Sequence, residues 1–364
     1  MKTVLSIVLS LMVTHAFTQN KWDGSNSPTK IGKNIERLLN NLPKKADLNL
    51  SQGYGWSGSY WPSETGGIAF RWNHPTPNNF KYSTNNLEKL RNMSQEELNQ
   101  LSPAEKYDIF MGQYNYPTVK RVWRTTIKSA KRDWAGICHG WAQAALNLIE
   151  PAPVNLTNAD GITLGFGSSD VKALLSHYFA YGYNGKGKQI GRRCYGKWKL
   201  KGDCKDVHPA SFHLALTNMI GIQKKGFIAD VDRYKEVWNQ PVVGYEYIIK
   251  EQYQASKKAR KKGVYTKAVI EMKMTYADEL QEVPGAPDDD FKDFQTWKPV
   301  FGTVHNEKTT KTYNYVLELS KSGKIIGGTW RSKDRPDFLW FKTTPFEFDK
   351  RYIGLKDIYR PIQL

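Results

Sequence analysis

Apolar positions recur along this chain at two periods, and the change from one to the other divides it. Cys138, Trp141, Ala145 and Leu148 return every three or four residues, the spacing that puts side chains on one stripe of a helix. Ser168 to Tyr181 repeats the pattern through Val171, Leu174, Leu175 and Tyr178, and Pro209 opens a third such stretch that Gly221 closes. Upstream, 85–111 predicts two short helices. Ser94-Gln-Glu-Glu97 and Ser102-Pro-Ala-Glu105 each offer a Ser-x-x-Glu capping box, the second with Pro at the first helical position. The amphipathic stretch Ile31 to Leu42, which ends at Pro43, predicts one more helix. After Gly221 the period shortens to two. Phe227 to Val231, Val242 to Ile249, Lys267 to Tyr276 and Thr312 to Leu319 have strand character, and Ser320-Lys-Ser-Gly323 predicts a hairpin turn into Lys324 to Trp330. Helices followed by strands predict an α+β fold, an antiparallel sheet with helices on one side.

The amino terminus adds a processing signal. Lys2 precedes an apolar run from Val4 to Val13, and Thr14-His15-Ala16 supplies small-residue cleavage context, so residues 1–16 read as a secretory signal peptide. That run is too short to span a bilayer, and no later stretch approaches the roughly 20 apolar residues a transmembrane helix needs. The expectation is an exported protein, secreted or periplasmic. Residues 17–50 form a polar extension, and 51–364 the main domain, with a helical part over about 85–221 and a sheet part over about 226–345. Between Leu50 and Trp72, Gly, Ser and aromatic residues dominate and suit tight turns.

The formal net charge of +18 attracts polyanions, and for an exported chain anionic envelope polymers fit better than nucleic acid. The dense run Lys257-Lys258-Ala259-Arg260-Lys261-Lys262 reads as a solvated face. Aromatic content of 13%, with twelve Trp, supplies a core despite the polar average.

Three cysteines are present, Cys138, Cys194 and Cys204. In an oxidising compartment Cys194 and Cys204 close a short loop as the expected disulfide, which leaves Cys138 over; pairing of Cys138 with either of the others would instead block it. Cys138 falls where an apolar helix begins. There, free backbone N–H groups and the positive end of the helix dipole favour thiolate over thiol, and the same N–H groups can stabilise an oxyanion. The plain alternative is a small buried hydrophobe.

Acyl transfer through a thiol needs a base and a group that orients the base. His139 is adjacent, but neighbouring helical side chains point about 100° apart. His213, on the apolar side of the helix opened by Pro209, is the better candidate, followed by Asp230; His208 and His305 are weaker ones. Each histidine taken alone also reads as a hydrogen-bonded structural residue. Neither Cys-x-x-Cys nor His-x-x-x-His spacing is present to suggest zinc. Gly185-Lys-Gly-Lys188 lacks the Gly-Lys-Ser/Thr ending of a phosphate loop. Asp288-Asp-Asp290 can ligate calcium or simply form a hydrated loop.

These segments together resemble the transglutaminase-elicitor family, known from a secreted cell-wall protein of oomycete plant pathogens and from bacterial relatives. The resemblance is most specific at Val237-Trp-Asn-Gln-Pro-Val242 with Gly244-Tyr245. It continues in Trp56-Ser-Gly-Ser-Tyr-Trp-Pro62, Gly66-Gly-Ile-Ala69, Leu101-Ser-Pro-Ala-Glu-Lys106, Cys138-His-Gly-Trp141, Phe212-His213, Leu216-Thr-Asn218 and Gly327-Gly-Thr-Trp330 with Pro336-Asp-Phe338. It covers roughly residues 50 to 345. Val243 stands where the peptide that plants recognise carries Arg, and Thr329 where the last motif carries Glu. The resemblance implies a papain-like or transglutaminase-like core, a cysteine helix against an antiparallel sheet. It also implies a γ-glutamyl acyltransferase that joins glutamine side chains of proteins to lysine or small primary amines. Cys138 matches the nucleophile position, while His213 and Asp230 take their roles from chemistry and chain order. Trp134, Trp141, Trp238 and Asn239 are expected to bind substrate. Calcium dependence is implied as well, with no ligands located. Two other readings stay open: a papain-like cysteine protease or amidase acting on envelope peptides, and a non-catalytic basic envelope-binding protein.

Overall fold

The computed structural model describes residues 22–48, 52–73, 81–129, 132, 134–194, 205–231, 233–280 and 297–364. The expected signal peptide, Cys204 and Asp288 to Asp290 lie outside the described residues. Strand β1 (Lys45–Asp47) comes first, followed by helices α1 (Leu87–Arg91), α2 (Gln95–Asn99), α3 (Pro103–Phe110) and α4 (Pro117–Ser129). Both predicted capping boxes form: the Ser94 and Ser102 hydroxyls accept from the N–H groups of Glu97 and Glu105, whose carboxylates accept in return. Helix α5 (Cys138–Asn147) leads into the hairpin β2 (Val154–Thr157) and β3 (Thr163–Phe166), then α6 (Ser168–Tyr181), β4 (Gly187–Gly191) and α7 (Pro209–Ala215). The chain continues past α7 as a π-helical turn over Leu216–Ile222.

The remaining strands are β5 (Phe227–Asp230), β6 (Asn239–Gln254), β7 (Thr266–Ala277), β8 (Lys308–Leu319), β9 (Ile325–Trp330) and β10 (Phe338–Lys342), with short helices α8 (Lys257–Arg260) and α9 (Leu355–Ile358). They form an eight-stranded sheet in the order β4-β10-β5-β6-β7-β8-β9, with β1 added on β6. Every pairing is antiparallel.

Side-chain alternation sorts the sheet into two faces. Ile190, Leu339 and Ala229 lie in one cross-strand row and join the core that α7 fills with Phe212, Leu214 and Leu216. Trp340, Ile228 and Pro241 lie in the adjacent row and look the other way, towards α5. Helices therefore cover both faces, where chain order alone predicts one. Beyond α5 lies a second apolar cluster, in which Trp56 and Trp141 meet Phe166, Leu174 and Tyr178. Helix α5 is thus held between the sheet and that cluster.

The predicted helix over Ile31 to Leu42 does not form. Only 3-10 turns at Pro28–Lys30 and Leu39–Asn41 appear there, because the backbone pairs elsewhere: Leu39 N–H donates to Gly323 O and Ile325 N–H to Arg37 O. Strands β4 and β10 were not predicted either, since Phe338 to Lys342 is an apolar run without alternation. Among the described residues no helix is long and apolar enough to cross a membrane.

Helices α5 and α6 touch backbone to backbone at Gly140, where a β-carbon would meet the Ser176 carbonyl oxygen and the Ala180 methyl. Gly140→Ala is expected to push the helices apart and destabilise the protein by about 1–3 kcal/mol. Thermal unfolding checks this; unchanged melting would contradict so close an approach.

Candidate active site

The start of α5 is fixed by the segment that precedes it. Ile137 N–H donates to Tyr60 O at 2.6 Å, and Gly136 passes so close to the Tyr60 carbonyl that a side chain would collide with it. Ile137 itself offers no side-chain cap. The Gly140 N–H turns back to Ile137 O at 2.8 Å, and the His139 N–H points to the Cys138 sulfur, the kind of donor that anion or oxyanion binding uses.

Cys138 is a free cysteine, 7% exposed. Its sulfur lies 3.7 Å from Val237 O, to which the thiol donates, and 3.5 Å from Nδ2 of Asn239, which donates to it. The Asn239 amide cannot be reversed without loss, because its Oδ1 accepts from Trp340 Nε1 at 2.8 Å. Asp230 stands opposite Asn239 on β5 and faces the same side of the sheet, and its Oδ1 accepts the Trp238 N–H at 3.2 Å. The Trp238 ring meets Tyr60 edge to face at 5.5 Å. The structure thus brings Asn239 to the Cys138 sulfur, with Asp230 and Trp238 next to Asn239.

It does not bring His213 there. That imidazole is wholly buried in the core on the opposite sheet face, with Nδ1 2.8 Å from the Tyr315 hydroxyl and the ring 4.7 Å from Tyr247. Burial pushes its pKa down to about 3, so it is neutral. The sequence pattern had correctly put His213 on an apolar helix face, but that face belongs to the other layer. Trp141 is a core residue whose Nε1 donates to Trp56 O, and Trp134 is half-buried with the Arg132 guanidinium 5.6 Å from its ring. His139 turns towards Tyr181, with ring centroids 6.3 Å apart.

A group missed in the sequence is Glu279. It follows β7 and forms a parallel bridge with Gly58, while Leu280 N–H donates to Gly58 O at 3.0 Å. Gly58 lies two residues from the Tyr60 carbonyl that anchors α5. Burial, then Asp278, push the Glu279 carboxyl up to about 8. Its charge reaches Cys138. The only sequence signal was an acidic pair, Asp278-Glu279, at a strand end.

Burial also pushes the Cys138 thiol up; the N–H donors of Asn239 and His139 oppose this without overcoming it. The helix start alone had predicted the reverse. Alkylation of Cys138 by iodoacetamide at pH 7 is therefore expected to be slower than that of free cysteine, rising with pH through the alkaline range. A faster reaction than free cysteine at pH 7 would overturn that reading.

Among the described residues no group of three or more His, Cys, Asp or Glu side chains converges as a metal cage. The expected pairing of Cys194 with Cys204 falls outside the described residues.

A buried charge network holds the approach to the site. Lys172 Nζ contacts Glu150 Oε1 at 2.5 Å and donates to Ser57 O at 2.8 Å. The Glu150 carboxylate accepts the N–H groups of Val300 and Phe301, and Lys308 Nζ donates to Gly55 O at 2.5 Å. These bonds tie residues 55–57 to α6 and to the loop before β8, which fixes the strand-like run that ends at Tyr60.

The fold and the sequence have independent relatives. The crystal structure of the GP42 transglutaminase from Phytophthora sojae superposes with a TM-score of 0.63 at 22% identity, covering 89% of this chain and 91% of that one. At that identity the likeness speaks for the fold. No curated protein sequence matches the chain. The family model described as Transglutaminase elicitor matches residues 28–356, which is nearly the whole chain and includes every residue gathered around the sulfur. The chain belongs to the transglutaminase elicitor family.

Proposed function

We propose that this protein is an exported protein-glutamine γ-glutamyltransferase that works through a thioester on Cys138. The sulfur attacks the carboxamide carbon of a glutamine side chain, the C–N bond breaks, and ammonia leaves with the proton the thiol gave up. A lysine or small primary amine then attacks the thioester, forms the amide and returns the thiol. The observation that carries this reading is a free cysteine at a helix start with the Asn239 amide donating to its sulfur, in a chain of this family. Export rests on the leader expected at residues 1–16, and the disulfide between Cys194 and Cys204 belongs to the same reading.

Glu279 is the proton carrier in this proposal, since burial pushes its carboxyl up to about 8 and its charge is felt at the thiol. The sign follows: below that pH it is protonated and cannot accept a proton, and above it becomes a carboxylate that can. The kcat/KM for amine incorporation is expected to rise through about pH 8 in the native protein, and Glu279→Gln is expected to remove that limb and lower the rate by roughly 10²-fold. An unchanged pH profile in the variant would exclude the role.

The direct test incubates mature protein with a glutamine donor peptide and a labelled amine, with and without calcium and reductant. Incorporation with loss of ammonia is expected by mass spectrometry. Cleavage of peptide bonds instead would mean that water takes the acyl group and the protein is a protease. Neither product would argue against catalysis.

A further inference from the structure

Beside α5 a groove of about 510 Å³ opens onto the surface. Its lining includes Tyr54, Gln143, Asn147, Lys224, Lys225 and Lys342, and no acidic residue among the described residues lines it. Gln143 is 4% exposed. Its Nε2 donates to the carbonyls of His139 and Phe179, which fixes the amide and leaves Oε1 with no partner among the described residues. A buried acceptor left unmatched beside open space is costly unless something donates to it. Lys224 and Lys225 are exposed at the rim, and Lys224 holds a left-handed backbone with φ of 55°, a conformation lysine seldom adopts.

The groove lies along the helix that carries Cys138 and shares neighbours with the site. Gln143 bonds the carbonyl of His139, the residue after the nucleophile, and the Lys342 ammonium is close enough to His139 to disfavour its protonation. Lys342 donates to Gly185 O at 2.7 Å, so its charge is held in place. Ile228, also in the lining, is paired across the sheet with Trp340, the donor to Asn239.

We propose that this groove binds the polypeptide of the acyl donor, and that it selects glutamines flanked by acidic residues. This rests on the acyl-transfer reading above. Gln143 Oε1 accepts a main-chain N–H of the donor, and Lys224 and Lys225 pair with a carboxylate. The occupant is the donor rather than the acceptor, because the acceptor carries a cationic amine that three lysines repel. Five residues of α5 rise about 7.5 Å, and an extended peptide covers about 3.3 Å per residue. The recognised carboxylate therefore belongs roughly two to four positions from the reactive glutamine.

Three donors test this with a labelled amine: a blocked Gln-Gly dipeptide, a peptide with Asp two to four positions from the glutamine, and the same peptide with Lys in place of Asp. The acidic peptide is expected to exceed the basic one by roughly 10-fold in kcat/KM, mainly through KM, and 0.5 M salt is expected to shrink that ratio. In the Lys224→Glu/Lys225→Glu variant the ratio is expected to invert. Equal kcat/KM for the two peptides in the native protein, or a ratio that the double reversal leaves unchanged, would overturn the inference while leaving the function standing. If the native protein turns over none of the three, the function fails instead. The groove is then read by fluorescence anisotropy of the labelled acidic and basic peptides on the Cys138→Ala protein, where equal affinities would overturn it.

Discussion

Cys138→Ala is expected to abolish amine incorporation, by roughly 10³-fold or more, because no thioester can form without the sulfur. The fold should survive. A buried thiol behaves as a small hydrophobe, and its partners, the Val237 carbonyl and the Asn239 amide, lose only weak sulfur bonds. Melting within a few degrees of the native protein, together with absent activity, is the expected pair of results. Residual incorporation at the native rate would mean that the chemistry lies elsewhere. Cys138→Ser is expected to be nearly as inactive, since a hydroxyl needs a stronger base than the site offers. Asn239→Ala is expected to cost less, because it removes one donor to the sulfur and the acceptor of Trp340.

The largest stability effect is expected from Lys172→Met. Lys172 and Glu150 have side chains 1% and 0% exposed, 2.5 Å apart, so removing the ammonium strands a buried carboxylate. Breaking such a pair from one side costs about 3–5 kcal/mol, enough to lower Tm by roughly 5 °C in a chain of this length. Thermal unfolding reads it directly. The double change Lys172→Met/Glu150→Gln should recover part of the loss, because the stranded charge disappears while the glutamine oxygen can still accept from Val300 or Phe301. A single variant that melts like the native protein would show that water reaches Glu150 after all. The buried pair Lys106 and Asp170, 2.8 Å apart, predicts a similar effect at the same, N-terminal end of α6.

Periodicity made α6 legible from Ser168 to Tyr181 and made the capping boxes at Ser94 and Ser102 legible outright, since each is a local arrangement written in adjacent residues. The place of Cys138 at the start of α5 was legible for the same reason: its helix starts where the apolar stripe starts. What surrounds it was not, because Asn239, Trp340 and Glu279 converge from strands far apart in the chain. Pro241 misled in a specific way. The strand is predicted only from Val242 onward, yet Pro241 sits inside β6 opposite Ile228. His213 misled because an apolar helix face can be recognised in sequence but the layer it packs on cannot.

The burial of Cys138 has a mechanical consequence. A nucleophile and the carbon it attacks must come within about 3–3.5 Å, and a sulfur 7% exposed, roofed by the Val237 carbonyl, grants no bulky side chain that passage. On the proposed acyl-transfer reading the peptide at Val237 and Trp238 has to swing aside before each turnover. Among the tethers it must release are a main-chain bond to Asp230 and an edge contact with Tyr60. In the proposed acyl transfer the aspartate is then a latch on the door, and the expected rate depends in part on how readily that latch lifts.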